Sequence, residues 1–248
     1  ETKVDTRGNE HYLSNLLYGF RPKVIGSNKA LYVTLIAYAV FGISIQIFMP
    51  YLILYYSVSL GMENYVLLFA PAIILAAIFT AFYGRVYDRK GFTASVIPAI
   101  AMLMAGYVVL YFFRNTALVF AGTLVMLCGY LAGMAVFGAM LRDRTPTGKA
   151  GMFQGQRIVG QVLIPGIIGP AVGAAVLKNA ETIVNDDGTT SFIPNRNIFL
   201  AAFAAAVVIW LVLLPLFRII KKEKSHADTQ KRRTQGSGKI LFSHGDRL

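Results

Sequence analysis

The run from Ala30 to about Leu60 contains no charged residue. A helix crosses about 30 Å of hydrocarbon in roughly 20 residues, so this stretch is long enough to span a bilayer. Five further apolar segments follow, at about 64–83, 93–113, 115–141, 151–177 and 198–220. The whole chain is 56% hydrophobic and 15% charged, against about 45–50% and roughly 25% in soluble domains. The predicted fold is all-α: a polytopic membrane protein with six transmembrane helices over residues 30–220. Pro50 predicts a kink in the first span, and tilt can absorb that span's excess length.

Polar ends flank the apolar segments. Within residues 1–29, Tyr12, Leu13, Leu16, Leu17 and Phe20 are spaced for a short helix lying on the membrane surface, ended at Arg21-Pro22. Residues 221–248 are polar and basic and are predicted to be disordered. The chain begins at Glu1 and shows no secretory signal pattern, so it reads as a piece of a longer protein entered within a cytoplasmic region.

The net charge of +12 is a topology signal. Lys3, Arg7, Arg21, Lys23, Lys29, Arg85, Arg89, Lys90, Arg142, Arg144 and Lys149 fall on one side of the six segments, as do the cations from Arg218 onward. The other side has only Arg114, Lys178 and Arg196. The positive-inside rule therefore places both termini in the cytoplasm, as in a multi-pass cell-membrane protein. A basic cytoplasmic end also attracts anionic lipid, and no nucleic-acid partner is expected. In the connection 178–197, β-prone Thr182-Ile-Val and Thr190-Ser-Phe-Ile flank Asn185-Asp-Asp-Gly188, which predicts a hairpin. Asp186 and Asp187 lack the further spaced oxygen ligands that a calcium site needs.

Motifs for catalysis are missing. There is one cysteine, Cys128, inside an apolar run, and His11, His226 and His244 lie in the polar ends. Neither G-x-S-x-G nor H-E-x-x-H occurs. No enzyme activity, metal or cofactor is expected.

The polar residues inside the spans are the candidates for binding. Gln154, Arg157 and Gln161 stand at i, i+3 and i+7, on one helical face. An intramembrane cation usually faces a bundle interior or a watery cavity; Arg157 snorkelling to the interface and Gln161 bonding a neighbouring helix are the plainer alternatives. Tyr38, Gly42, Gln46 and Met49 share a face of the first span, where an aromatic ring and an amide suit a neutral polar solute. Ordinary packing is the alternative there, and the favoured reading for Tyr55, Tyr56, Tyr107 and Tyr111 as interfacial aromatics. Gly129/Gly133, Gly151/Gly155 and Gly169/Gly173 predict close helix contacts, and Pro165 and Pro170 a helix that bends.

Between the second and third segments stands Gly84-Arg-Val-Tyr-Asp88-Arg89-Lys-Gly91. With this G-x-x-x-D-R-x-G loop, six spans and inside termini, the chain resembles the major facilitator superfamily over about residues 10–220. The resemblance implies a half-bundle, the C-terminal six-span half of a transporter whose N-terminal half is the expected partner. It also implies a cytoplasmic gate made of Gly84, Asp88, Arg89 and Gly91, with Asp88 at a helix N-terminus and Arg89 paired to nearby carboxylates or carbonyls. The loop Arg142-Asp-Arg-Thr-Pro-Thr-Gly-Lys-Ala-Gly151 is similar in part to that of melibiose-permease-like (glycoside-pentoside-hexuronide) sugar:cation symporters; Arg142, Arg144 and Pro146 replace that group's acidic and aromatic residues. Such a protein moves a small polar, sugar-like solute by alternating access, coupled to H+ or Na+. No Asp or Glu lies within a span, so a coupling carboxylate is expected outside this chain. The other readings are an exporter of the same superfamily and a non-transporting six-span scaffold.

Overall fold

The computed structural model describes residues 18–146, 150–184 and 188–242. The surface helix expected before Tyr18, the Thr147-Gly148-Lys149 part of the symporter-like loop, and Asp186 and Asp187 lie outside the described residues. The described chain is almost wholly helical, with one small hairpin. Among the described residues, five helices are long and apolar enough to cross a membrane: Lys29–Ser59, Tyr65–Phe112, Thr116–Arg144, Phe153–Val176 and Asn197–Glu223.

The chain enters through a 3-10 turn, Tyr18–Phe20, and a short helix, α1 (Pro22–Ser27). Arg21 is extended (φ −68°, ψ 131°) because the Pro22 ring excludes helical backbone before it, and Pro22 itself opens α1. Helix α2 (Lys29–Phe48) runs into a 3-10 turn at Met49–Tyr51, where Pro50 withholds its N–H, and ends through Leu52–Leu54 and a π turn, Tyr55–Ser59. The α-helix is thus interrupted at Pro50, where a kink was expected.

The two segments expected here are two helices that meet at a kink at Gly91, within the run α3 (Tyr65–Phe112). The connection Arg85–Lys90 contains no proline or glycine and stays helical. The break is confined to Gly91, at φ 77° and ψ −180°, a region essentially reserved for glycine. Helix α4 (Thr116–Arg144) starts at Asn115, whose side chain caps the Ala117 N–H at 3.0 Å.

Contacts with α4 show what the Gly91 kink does. Gly129 abuts Ala99 and Leu103, Met126 abuts Gly106, and Gly122 abuts Val109, so residues 92–112 run antiparallel to α4. Tyr56 touches both Phe69 and Thr123, while the Tyr87 hydroxyl reaches Asp143, so residues 65–90 run alongside α4 in its own direction. The two parts of α3 therefore point opposite ways, and the Tyr83 hydroxyl donates across the fold-back to the Ser95 carbonyl at 2.7 Å.

Next comes α5 (Ala150–Ile158), joined by a π turn, Val159–Leu163, to α6 (Ile164–Val176). Pro165 has no N–H for the Gln161 carbonyl, and the Ile164 N–H instead bonds five residues back to Val159. A hairpin follows, β1 (Thr182–Val184) antiparallel to β2 (Thr190–Phe192), with Ile183 opposite Ser191 and Gly188 at φ 78°. The hairpin is where the sequence placed it. The last helix, α7, runs from Asn197 to Phe242. Disorder was expected from residue 221; the backbone is instead helical to Phe242. Lys, Glu, Ala, Gln and Arg dominate the first part of this stretch, and no proline follows Pro215.

The core lies where α2, α3, α4 and α7 meet. Phe41, Phe48, Tyr56, Tyr107, Phe137 and Phe199 are fully buried there. The Ser44 hydroxyl donates to the Ala202 carbonyl (2.8 Å) and lies 3.1 Å from the Tyr107 hydroxyl, tying three helices together. Tyr56 and Thr123 hydroxyls are 2.5 Å apart, and Tyr55 donates to the Leu110 carbonyl at 3.3 Å. Tyr55, Tyr56 and Tyr107 are thus packed and bonded inside the bundle, as ordinary packing requires. Each phenol needs a partner once buried, and each has one.

Candidate functional site

The expected site residues fall in two places. At one end of the bundle lies the Gly84–Gly91 stretch, against the ends of α4 and α7. The Tyr87 hydroxyl donates to Asp143 Oδ2 at 2.7 Å, Arg142 lies 3.6 Å from Asp143, and Arg144 is paired with Glu223. Lys29, Arg144 and Glu223 also line a cavity of about 400 Å³ here. Hence, of the cations assigned to one side from the sequence, the described Lys29, Arg142 and Arg144 gather at the end where the Gly84–Gly91 stretch lies. Asp88 and Arg89 are exposed, and neither has a hydrogen bond or ion pair among the described residues. Asp88 stands three residues before Gly91, in helical backbone, and not at the helix N-terminus the resemblance implied. The helix persists because nothing before Gly91 breaks it. Tyr87, which the sequence reading passed over, makes the contact instead. Gly84 has open space around it.

The second place is the seam between α2 and the α5–α6 rod. Leu35 meets Gly160, Gly42 meets Pro165, Gln46 meets Gly169, and Ile47 and Tyr51 meet Gly173. Residue numbers rise together along this seam, so the two rods are parallel, and glycine on one side or the other lets the backbones close. A Cβ at Gly160 would lie 2.6 Å from Leu35 Cδ1, and Pro165 Cγ lies 2.8 Å from the Cβ position of Gly42.

Tyr38 is buried at the near end of this seam. Its hydroxyl donates to Met134 Sδ at 3.1 Å, and its ring stacks on Phe137 with centroids 5.3 Å apart. Tyr130 and Arg157 are near enough to act on the Tyr38 hydroxyl electrostatically. Arg157 and Gln161, one turn apart, are half-buried. Arg157 Nε and Gln161 Nε2 are sealed from solvent with no hydrogen-bond partner. Tyr38, Arg157 and Gln161 thus fall at the same end of the seam. Gln46 does not join them, because its Cβ is packed on Gly169 two turns further on. Gln154 is exposed, on the rim.

A further polar residue, Gln156, was not singled out from the sequence. It is 3% exposed, and its Nε2 also lacks a partner. Its side chain occupies the space beside Gly19, in the turn held down by the Tyr32 hydroxyl on the Gly19 carbonyl. The neighbouring glycine Gly155 and the second glutamine in Phe-Gln-Gly-Gln-Arg were the available signal.

At the far end, Arg114, Arg196, Glu181, Tyr55 and Ser59 line a cavity of about 320 Å³ beneath the hairpin. Arg196 lies over the Tyr111 ring at 5.1 Å, and Ser59 is bonded to the Pro194 carbonyl. Among the described residues no cluster of three or more His, Cys, Asp or Glu could hold a metal ion. Compared with protein-family models, with curated proteins and with solved structures, the chain matches none.

Proposed function

We propose that this chain is a six-pass membrane bundle forming the C-terminal half of a major-facilitator-type secondary transporter. It moves a small polar solute across the cell membrane by alternating access, coupled to a cation, with both termini cytoplasmic. A second six-span body covers its polar seam, and the coupling carboxylate belongs to that body. The melibiose-permease-like group is the nearest in sequence pattern.

The observation that carries this reading is the parallel pairing of α2 with the α5–α6 rod. Two membrane rods run parallel only if an even number of crossings returns the chain to the starting side. With α3 as one crossing, α2 and the α5–α6 rod would be antiparallel; with α3 folded back at Gly91, they are parallel. Six passes account for that pairing. Along the same seam lie Tyr38, Arg157 and Gln161, with donors left unsatisfied, and a π turn and proline that let the rod flex.

Cysteine accessibility tests the reading in intact cells expressing the protein. With Cys128 replaced by serine, single cysteines at positions 157 and 161 should react with a membrane-impermeant maleimide from one side in one state and from the other in the alternate state. Cysteines at the exposed apolar positions 163 and 167 should not react. Equal silence at all four positions means that no water-filled path reaches the seam, and the transport reading falls.

A further inference from the structure

Resting on the transport reading, we propose that the solute held at Arg157 is an organic oxyanion, recognised through a carboxylate or phosphate, and not a neutral sugar. The buried polar atoms left without a partner among the described residues are Gln156 Nε2, Arg157 Nε and Gln161 Nε2. All three are donors; Arg157 and Gln161 stand one turn apart at the seam, whereas Gln156 is turned toward Gly19. A glutamine can turn its amide and offer the oxygen instead, but a guanidinium has only donors and keeps its charge. What the seam lacks is an acceptor-only, negatively charged group.

Among the described residues none provides one. Asp88, Asp143 and Glu223 lie at the Gly91 end, where Asp143 and Glu223 are already engaged by Tyr87, Arg142 and Arg144. Glu63 and Glu181 lie at the hairpin end, and Arg157 has no ion pair among the described residues. Sugar hydroxyls would satisfy donors and leave the half-buried cation without a counter-charge. An oxyanion satisfies both, and the guanidinium fork matches it with two parallel hydrogen bonds. Tyr38 adds a ring and Gln161 a further donor.

The same negative charge could come from a carboxylate on the covering body. The test separates the two sources. Thermal unfolding of the purified full chain in detergent is followed with gluconate against glucose, and with glycerol 3-phosphate against glycerol, at matched ionic strength. A saturable stabilisation by a charged member and none by its neutral counterpart is expected. Arg157→Gln should weaken the apparent affinity at least tenfold, Arg157→Lys only a few-fold, and Lys178→Gln not at all. Equal stabilisation by the neutral member, or a response that survives Arg157→Gln, overturns the proposal and leaves transport untouched. So does silence toward every probe, and a chain stabilised by Arg157→Gln itself would then assign the counter-charge to a protein carboxylate. Transport is read separately, as tracer counterflow in vesicles: a chain that binds the anion without carrying it sinks only the transport reading.

Discussion

Gln46 and Gly169 meet backbone to backbone. A Cβ built on Gly169 would run into Gln46 Cβ and lie 2.8 Å from its carbonyl carbon. This contact is one rung of the parallel seam between α2 and α6, and it removes Gln46 from the polar group around Arg157. An amide that looked like a ligand for a solute is a residue whose stem fits a glycine notch.

Gly169→Ala should therefore destabilise the protein by about 1–3 kcal/mol, the usual cost of overpacking a closed contact. Gly166, on the same helix, has nothing within 4 Å of its Cβ position, so Gly166→Ala should be neutral or slightly stabilising. Melting temperatures of the two variants in one detergent check the contrast. Equal effects would mean that the rods do not close on Gly169.

The two glycines of the Gly84–Gly91 motif should separate in the same way. Gly91→Ala forces a side chain onto φ 77° and ψ −180°, at a cost of about 1–3 kcal/mol, although the space around it is open. Gly84 stands in ordinary helix with open space, and Gly84→Ala should be tolerated. Unfolding of both variants, followed with transport or ligand response, distinguishes a backbone requirement at Gly91 from a requirement for both residues.

Tyr87 and Asp143 should be energetically coupled. The bond between them closes the Gly91 end of α3 onto α4. A double-mutant cycle of Tyr87→Phe and Asp143→Asn should return a coupling of roughly 0.5–1.5 kcal/mol, typical of a net hydrogen bond. The same cycle between Asp88→Asn and Arg142→Gln should return none, because Asp88 has no partner among the described residues. The reverse result would restore Asp88 as the latch.

Six passes predict a simple labelling pattern. Single cysteines at positions 88 and 223 should be modified from one side of the membrane, and those at 114 and 181 from the other. Finding 88 and 223 on opposite sides, or 88 shielded within the bilayer, would restore α3 as a single crossing.

Much of this architecture was legible in the chain alone. Uncharged membrane-length runs leave the backbone no partners except its own, so helices follow from composition. The helix interruption at Pro50 and the hairpin across Gly188 follow from local backbone chemistry, which a few neighbouring residues decide. The segregated cations, too, were readable from order along the chain. Less was legible at the site. Tyr38, Arg157 and Gln161 were found because charge and amides are rare among apolar residues. Gln46 lies two turns from Tyr38, against Gly169, and Gln156 was missed, because the helical period alone cannot tell which side of a rod a neighbour will cover.

Tertiary structure decided the rest. The extent of the helix up to Gly91 and of α7 to Phe242 exceeded what hydropathy outlines, because hydropathy reports solvent preference and not where backbone hydrogen bonding stops. Which rods run parallel, which tyrosines find partners in the core, and which donors are left without one depend on contacts between residues 63 to 158 positions apart. Those pairings are set by glycine notches and shape fit, and no local pattern encodes them.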